Sequence, residues 1–128
     1  AALATARGAV CAPDSPVHPD RRWYDAAETM RRLALSWGDQ PYGAVLVTAD
    51  GRVAEGPSRV VRNSDPDAHA EREAIREAQR LLGSESLAGS VLYSTSRPCR
   101  LCERAAARAG VGRMYFGPRL EDAGTPRP

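Results

Sequence analysis

Lysine is absent from this chain: all 18 of its basic residues are arginine. That excludes a lysine Schiff base, with or without pyridoxal phosphate, and a P-loop lysine. Cysteine is sparse and odd in number. Cys99 and Cys102 form one C-x-x-C pair, and Cys11 stands alone in a Pro- and Ala-rich stretch. A small secreted disulfide scaffold has an even, dispersed set, so a reducing, cytoplasmic compartment is the expectation. The Ala-rich start, Ala1 to Val10, also fits the remainder of a processed export signal, which keeps export of the mature chain as the alternative. Apolar runs of membrane-spanning length are missing, so no membrane partner is expected. A strong charge bias is missing too, the formal net charge being +2. At 128 residues the chain suffices for one domain with a real core and is short for two. No internal repeat is visible.

Residues 1–19 carry Pro13, Pro16 and Pro19 without hydrophobic periodicity and read as a mobile N-terminal arm. The domain is expected over residues 20–128. Trp23, Ala26, Ala27, Met30, Leu33, Ala34 and Trp37 recur at helical spacing, with Asp20 as cap and Gly38 as stop. Residues 42–48 read as a buried strand, and Asp50-Gly51 as a hairpin turn into a second strand over 52–55. Residues 56–68 read as loop with a short strand possible over 59–62. A helix is predicted from about Ala68 to Leu82, stopped by Gly83, with Ala70, Ala74, Ala78, Leu81 and Leu82 as its core stripe. A strand over 90–95, a helix over 99–109 closed by Gly110, and a strand over 111–116 complete the order α-β-β-α-β-α-β. The last two strands, joined by one helix, are expected to be parallel, and the hairpin pair antiparallel. The class is therefore α/β with a mixed sheet, and the chain is expected to end shortly after strand 4. Trp23, Met30 and Trp37 are expected in the core, and Tyr42 in a structural role or stacked on a ligand. His18 and Cys11 lie in the arm and receive no role.

Two motifs open predicted helices: His69-Ala70-Glu71 and Pro98-Cys99-Arg100-Leu101-Cys102. Residues at i and i+3 share a helix face, so Cys99 and Cys102 can grip one ion. Zn²⁺ takes thiolate sulfur and imidazole nitrogen, and three protein ligands leave a fourth position for water. Helix N-termini favour the thiolate form. His69 and Glu71, two apart, would diverge on a regular helix. They converge only on a metal lying off the helix end, with His69 as ligand and Glu71 above the water as proton carrier. A metal lowers the pKa of water from about 16 to roughly 7. The set suits hydrolysis at an amidine-like carbon bearing an amino group, and H-x-E followed by P-C-x-x-C is the signature of zinc deaminases. A C-x-x-C opening a helix also fits a redox pair, but redox chemistry has no use for His69 and Glu71. Taken alone, Glu71 would be a first-turn acid favoured by the helix dipole, and Glu73 and Glu77 are expected to be exposed helix charges.

The chain resembles the cytidine deaminase-like superfamily from about Tyr42 to Gly117. The resemblance is carried by Pro41-Tyr42-Gly43-Ala44-Val45-Leu46-Val47, Asp67-Ala68-His69-Ala70-Glu71, Pro98-Cys99-Arg100-Leu101-Cys102 and Gly110-Val111-Gly112-Arg113. It is stronger to the guanine/cytosine deaminase and tRNA-adenosine deaminase branch than to the free-cytidine enzymes. It implies a three-layer α/β/α cytidine deaminase-like fold and one catalytic zinc held by His69, Cys99 and Cys102, with Glu71 moving protons. It also implies a dimer or higher homo-oligomer, and contact of the Ala70 amide with the substrate. Three positions depart from the pattern. Ser58 stands where this branch has an Asn that bonds the base. Arg97 stands where a Glu precedes Pro-Cys, and Arg100 where an uncharged residue separates the cysteines. Ser58 and Arg97 are therefore further candidates for substrate binding.

The expected activity is hydrolytic replacement of an exocyclic amino group on a nucleobase, nucleoside or nucleotide, with release of ammonia. Two alternatives stand beside it. One is editing of adenine or cytosine in tRNA or single-stranded DNA, for which Arg97, Arg100 and Arg104 would supply a phosphate-contacting edge. The same arginines also read as a solvated helix face. The other is a degenerate, non-enzymatic member that keeps zinc for structure, against which the intact Glu71 argues.

Overall fold

The structure, a computed structural model, describes residues 19–128. The arm expected over residues 1–19, with Cys11 and His18, lies outside the described residues apart from Pro19. The element order is α1 (Arg21–Ser36), β1 (Gly43–Val47), β2 (Val53–Pro57), α2 (Ala70–Leu82), β3 (Val91–Ser94), α3 (Arg100–Ala109), β4 (Arg113–Phe116) and β5 (Glu121–Gly124). Each helix begins and ends where local chemistry dictates. The Asp20 carboxylate caps α1 by accepting from the Arg22 amide at 3.0 Å. Gly83 and Gly110, both in the left-handed conformation that a side chain would strain, terminate α2 and α3. Among the described residues, no helix is long and apolar enough to cross a membrane.

The sheet runs β2-β1-β3-β4-β5. β1 pairs antiparallel with β2 and with β3, and β3 pairs parallel with β4 across the α3 crossover. The expected mixed sheet and three layers are both present. Alternation along the strands divides the core in two. Ala44, Leu46, Ala54, Leu92 and Met114 pack under Ala70, Ala74, Ile75 and Ala78 of α2 and Ala105, Ala106 and Ala109 of α3. On the other face Val45, Val91, Tyr93 and Tyr115 pack with Met30 of α1. Small residues let the layers close up. A Cβ at Gly43 would stand 2.8 Å from the Met30 carbonyl carbon in α1, and one at Gly56 would stand 2.5 Å from the Ala74 nitrogen in α2.

Several expectations need correction. A fifth strand follows β4 and pairs antiparallel with it across a register shift, held from the side by the Arg113–Asp122 ion pair at 2.6 Å. The possible strand over 59–62 is instead a series of turns, closed by Asn63 N–H on the Arg59 carbonyl and Asp65 N–H on the Val60 carbonyl. Helices α2 and α3 start later than predicted, leaving His69 and Cys99 as caps. Met30 is in the core and Trp23 packs beside it. Trp37 belongs to neither core cluster and lies beneath the Arg59 and Arg62 guanidinium groups. Leu33 and Leu81 are exposed rather than buried, whereas Ile75, outside the predicted stripe, is buried.

Candidate active site

The capping positions of α2 and α3 build the site. His69 and Cys99 have extended backbones, and their carbonyls accept the first helical bonds, from Glu73 N–H and Glu103 N–H at 2.9 Å each. An extended cap swings its side chain off the helix end, so the two caps meet between the helices. His69 Nδ1 lies 3.6 Å from Cys99 Sγ and 3.4 Å from Cys102 Sγ. All three donor atoms lie within 4.8 Å of one another, and no other such group of three is found among the described residues.

These separations test the fit of zinc. Bonds of about 2.3 Å to sulfur and about 2.05 Å to nitrogen, at a tetrahedral angle, place nitrogen and sulfur about 3.6 Å apart. The structure has 3.4 and 3.6 Å. The donor chemistry agrees. Burial pushes the Cys102 thiol pKa up, and the nearby Glu71 carboxylate pushes it further. A thiol so placed becomes a ligand only when a cation compensates its charge. The Cys102 amide also points at Cys99 Sγ, 3.5 Å away. His69, Cys99 and Cys102 form a candidate zinc site.

Glu71 is the second residue of α2 and is 6% exposed. Its Oε2 faces Ser94 Oγ at 3.0 Å, and its Oε1 lies 3.9 Å from Cys102 Sγ. Burial pushes its pKa up, opposed by its own backbone N–H and by Ser94. Ser94 Oγ is also 2.7 Å from the Ser96 carbonyl. Its one hydrogen serves either oxygen, so it accommodates Glu71 as carboxylate or as acid.

His69, Cys99 and Glu71 open onto a pocket of about 310 Å³, with Cys102 buried behind it. His69, Ala70, Glu71 and Cys99 form its floor. Gln40 and Tyr42, from the loop before β1, and Ser96 and Arg97, from the loop after β3, form its rim. A larger hollow of about 510 Å³ lies elsewhere, along Trp23, Val47 and Tyr93, and none of the three donors lines it. Of the candidate substrate contacts, Ala70 and Arg97 line the pocket and Ser58 does not. Ser58 is 1% exposed, and its hydroxyl donates to Asp39 Oδ1 at 3.0 Å. Arg97 is exposed, with its guanidinium over the Phe116 ring. Arg100 turns away from the pocket to the carbonyls of Arg127 and Pro128, and Arg104 is exposed on α3. Gln40, Ser96 and Ser94 are neighbours the motifs did not mark. The β3 register places Ser94, but no sequence signal singles out Gln40.

Fold and donor set together define an α/β zinc domain of the deaminase type. The model of the cytidine and deoxycytidylate deaminase zinc-binding region matches residues 18–118, and the chain belongs to that family. It is similar to guanine deaminase of Bacillus subtilis (strain 168), with 37% identity over 83 residues, 65% of this chain and 53% of that protein. It is similar also to tRNA-specific adenosine deaminase of Agrobacterium fabrum, with 46% identity over 87 residues, 67% of this chain and 57% of that protein. The chain thus spans little more than half the length of these two curated relatives. A solved structure from work on A-to-I editing by tRNA:A34 deaminases at the wobble position of transfer RNA superposes with a TM-score of 0.73 at 39% identity, covering 77% of this chain and 71% of that one.

Proposed function

We propose that this chain is a hydrolytic deaminase that replaces an exocyclic amino group of a nucleobase, nucleoside or nucleotide by oxygen and releases ammonia. The observation that carries the reading is the convergence of His69 Nδ1 with two cysteine sulfurs at 3.4–3.6 Å beside a buried carboxylate, with His69, Cys99 and Glu71 lining one pocket. A structural zinc site has no use for that carboxylate.

His69, Cys99 and Cys102 would hold the zinc, which would supply the Lewis acidity that makes water nucleophilic near neutral pH. Glu71 takes one proton of the attacking water on a carboxylate oxygen and passes it to the ring nitrogen beside the attacked carbon. It then takes the proton of the newly added hydroxyl group and delivers it to the amine, which leaves as ammonia while the carbonyl forms. Ser94 holds the carboxyl group in place through both states. The Ala70 amide and Arg97, which line the pocket, help orient the substrate, Arg97 from the exposed rim. Buried Ser58 acts through Asp39 rather than by touching the base.

A second reading, editing of a base within tRNA or single-stranded DNA, is favoured by the exposed Arg97 at the rim and by the tRNA-specific relatives. Assembly as a homodimer goes with either reading. The test is ammonia release by zinc-quantified protein against cytosine, guanine and adenine, their nucleosides and nucleotides, tRNA and short single-stranded DNA. Turnover that disappears in Glu71→Ala supports the reading and names the substrate class. No ammonia from any member, with one zinc per chain, refutes it. Steeply salt-dependent oligonucleotide binding would select the editing form.

A further inference from the structure

We propose that Gln40 is the specificity-determining contact of this pocket, reading the edge of the bound base where an acceptor and an N–H stand side by side. The inference rests on the deaminase reading and deepens it.

Ser58 is removed from the substrate by its own hydrogen bond. Its hydroxyl is spent on Asp39 Oδ1, and the residue is buried. The same carboxylate fixes the loop at the pocket rim. Asp39 Oδ1 also accepts from the Gln40 backbone N–H at 2.8 Å, and Asp39 Oδ2 accepts from the Arg62 N–H at 2.7 Å. The Gln40 carbonyl in turn accepts from the Tyr42 N–H at 2.8 Å. The backbone of Gln40 is therefore held on both sides. Gln40 lines the pocket, and its side-chain amide makes no hydrogen bond among the described residues.

The other rim groups are less suited to reading a base edge. Arg97 donates only, and its guanidinium rests on Phe116. Tyr42 and Ser96 offer one hydroxyl each. The Gln40 amide presents a carbonyl oxygen and an NH₂ in one plane, the geometry that bonds an adjacent acceptor and N–H in bidentate fashion. A lactam or aminopyrimidine edge offers that pair, and a base alkylated there does not. Because Gln40 is exposed at the rim, water competes for its bonds, and about tenfold in affinity is the expected effect of losing both.

The experiment measures equilibrium binding of cytosine, guanine, adenine and their nucleosides to zinc-loaded protein in the Glu71→Ala background, which prevents turnover. Gln40→Leu is expected to weaken the tightest ligand about tenfold without moving the thermal midpoint. Gln40→Glu, which keeps acceptors and loses the NH₂, is expected to reorder the panel in favour of ligands that donate at that edge. A purely structural role for Gln40 would lower all affinities together and leave the order unchanged. Affinities within twofold of the parent and in the same order in both variants overturn the inference, as does a parent that binds no member of the panel. Failure of the deaminase reading looks different: the chain with Glu71 intact binds these ligands and releases no ammonia.

Discussion

Replacing Gly56 by alanine tests whether sheet packing sets the geometry of the donor triangle. A Cβ there would stand 2.5 Å from the Ala74 nitrogen and 2.8 Å from the Ala74 Cβ, and closer still to the Ala70 carbonyl oxygen. Ordinary contact needs about 3.5 Å, so α2 and β2 must separate by about 1 Å. The neighbours are main chain and cannot rotate away. The cost falls at the upper end of the overpacking range, about 3 kcal/mol, or a fall of about 12 °C or more in Tm. Ala70 is the first residue of α2, directly after His69, so the displacement falls on the histidine ligand while Cys99 and Cys102 stay on α3. Metal sites tolerate about 0.2 Å in their bond lengths, so zinc affinity should fall about 10- to 100-fold.

Gly43→Ala is the matched control. Its Cβ would clash as badly, but with Ala27, Met30 and Arg31 of α1, on the face without ligands. Chemical denaturation combined with zinc competition against a chromophoric chelator separates the two effects. Both variants should lose comparable stability, and Gly56→Ala alone should lose zinc affinity. Equal zinc affinities in the two variants, or a Gly56→Ala stability within about 1 kcal/mol of wild type, would refute the reasoning.

Glu71→Ala should keep zinc and fold while losing turnover by about 10²-fold or more; loss of zinc in that variant would contradict its place outside the ligand set. Cys102→Ala should lose the metal, and with it the stability that metal binding adds, about 4 kcal/mol when free zinc is 1,000 times its Kd. Full zinc stoichiometry by elemental analysis would contradict that assignment. Asp39 gives a pH prediction. Burial alone would raise its pKa, but the backbone N–H groups of Arg62, Gln40 and Val61 and the Ser58 hydroxyl outweigh it, so the carboxyl is held below its usual range. A folded pKa below the unfolded one stabilises above about pH 4, and the contribution is lost as pH falls through the folded value. Urea midpoints of wild type should therefore fall more steeply below pH 4 than those of Asp39→Asn, and parallel slopes would count against the bonds.

The parts of the molecule governed by local chemistry were legible in the sequence. Asp20, Gly83 and Gly110 mark helix ends because capping and left-handed backbone are decided within a few residues. The convergence of His69 with Glu71 was legible for a geometric reason, since only a histidine off the helix end can share a target with Glu71. What escaped depends on distant partners. β5 is polar and Gly-containing, and becomes a strand because Arg113, nine residues before Asp122, and the β4 edge hold it. Ser58 was read as a substrate contact because nothing nearby reveals that its acceptor is Asp39, 19 residues earlier. Trp37 carries helical periodicity, but two arginines from the loop after β2 give it a cationic cover instead of an apolar one.

The division of the core into two faces has a consequence for how the domain opens. All three donor atoms and the carboxylate belong to elements on one side of the sheet, whereas, among the described residues, α1 is the helix that covers the other. Helix α1 can then exchange its amides through an opening that leaves α2 and α3 closed, as a separate cooperative unit. Two links from the end of α1 reach the loop that leads into His69: the Asp39 carboxylate, which holds Ser58 and Arg62, and the Trp37 ring, which Arg59 and Arg62 cover. Motion at the end of α1 therefore reaches the reactive side through that loop, and removing the Asp39 carboxylate should weaken the coupling between the two halves.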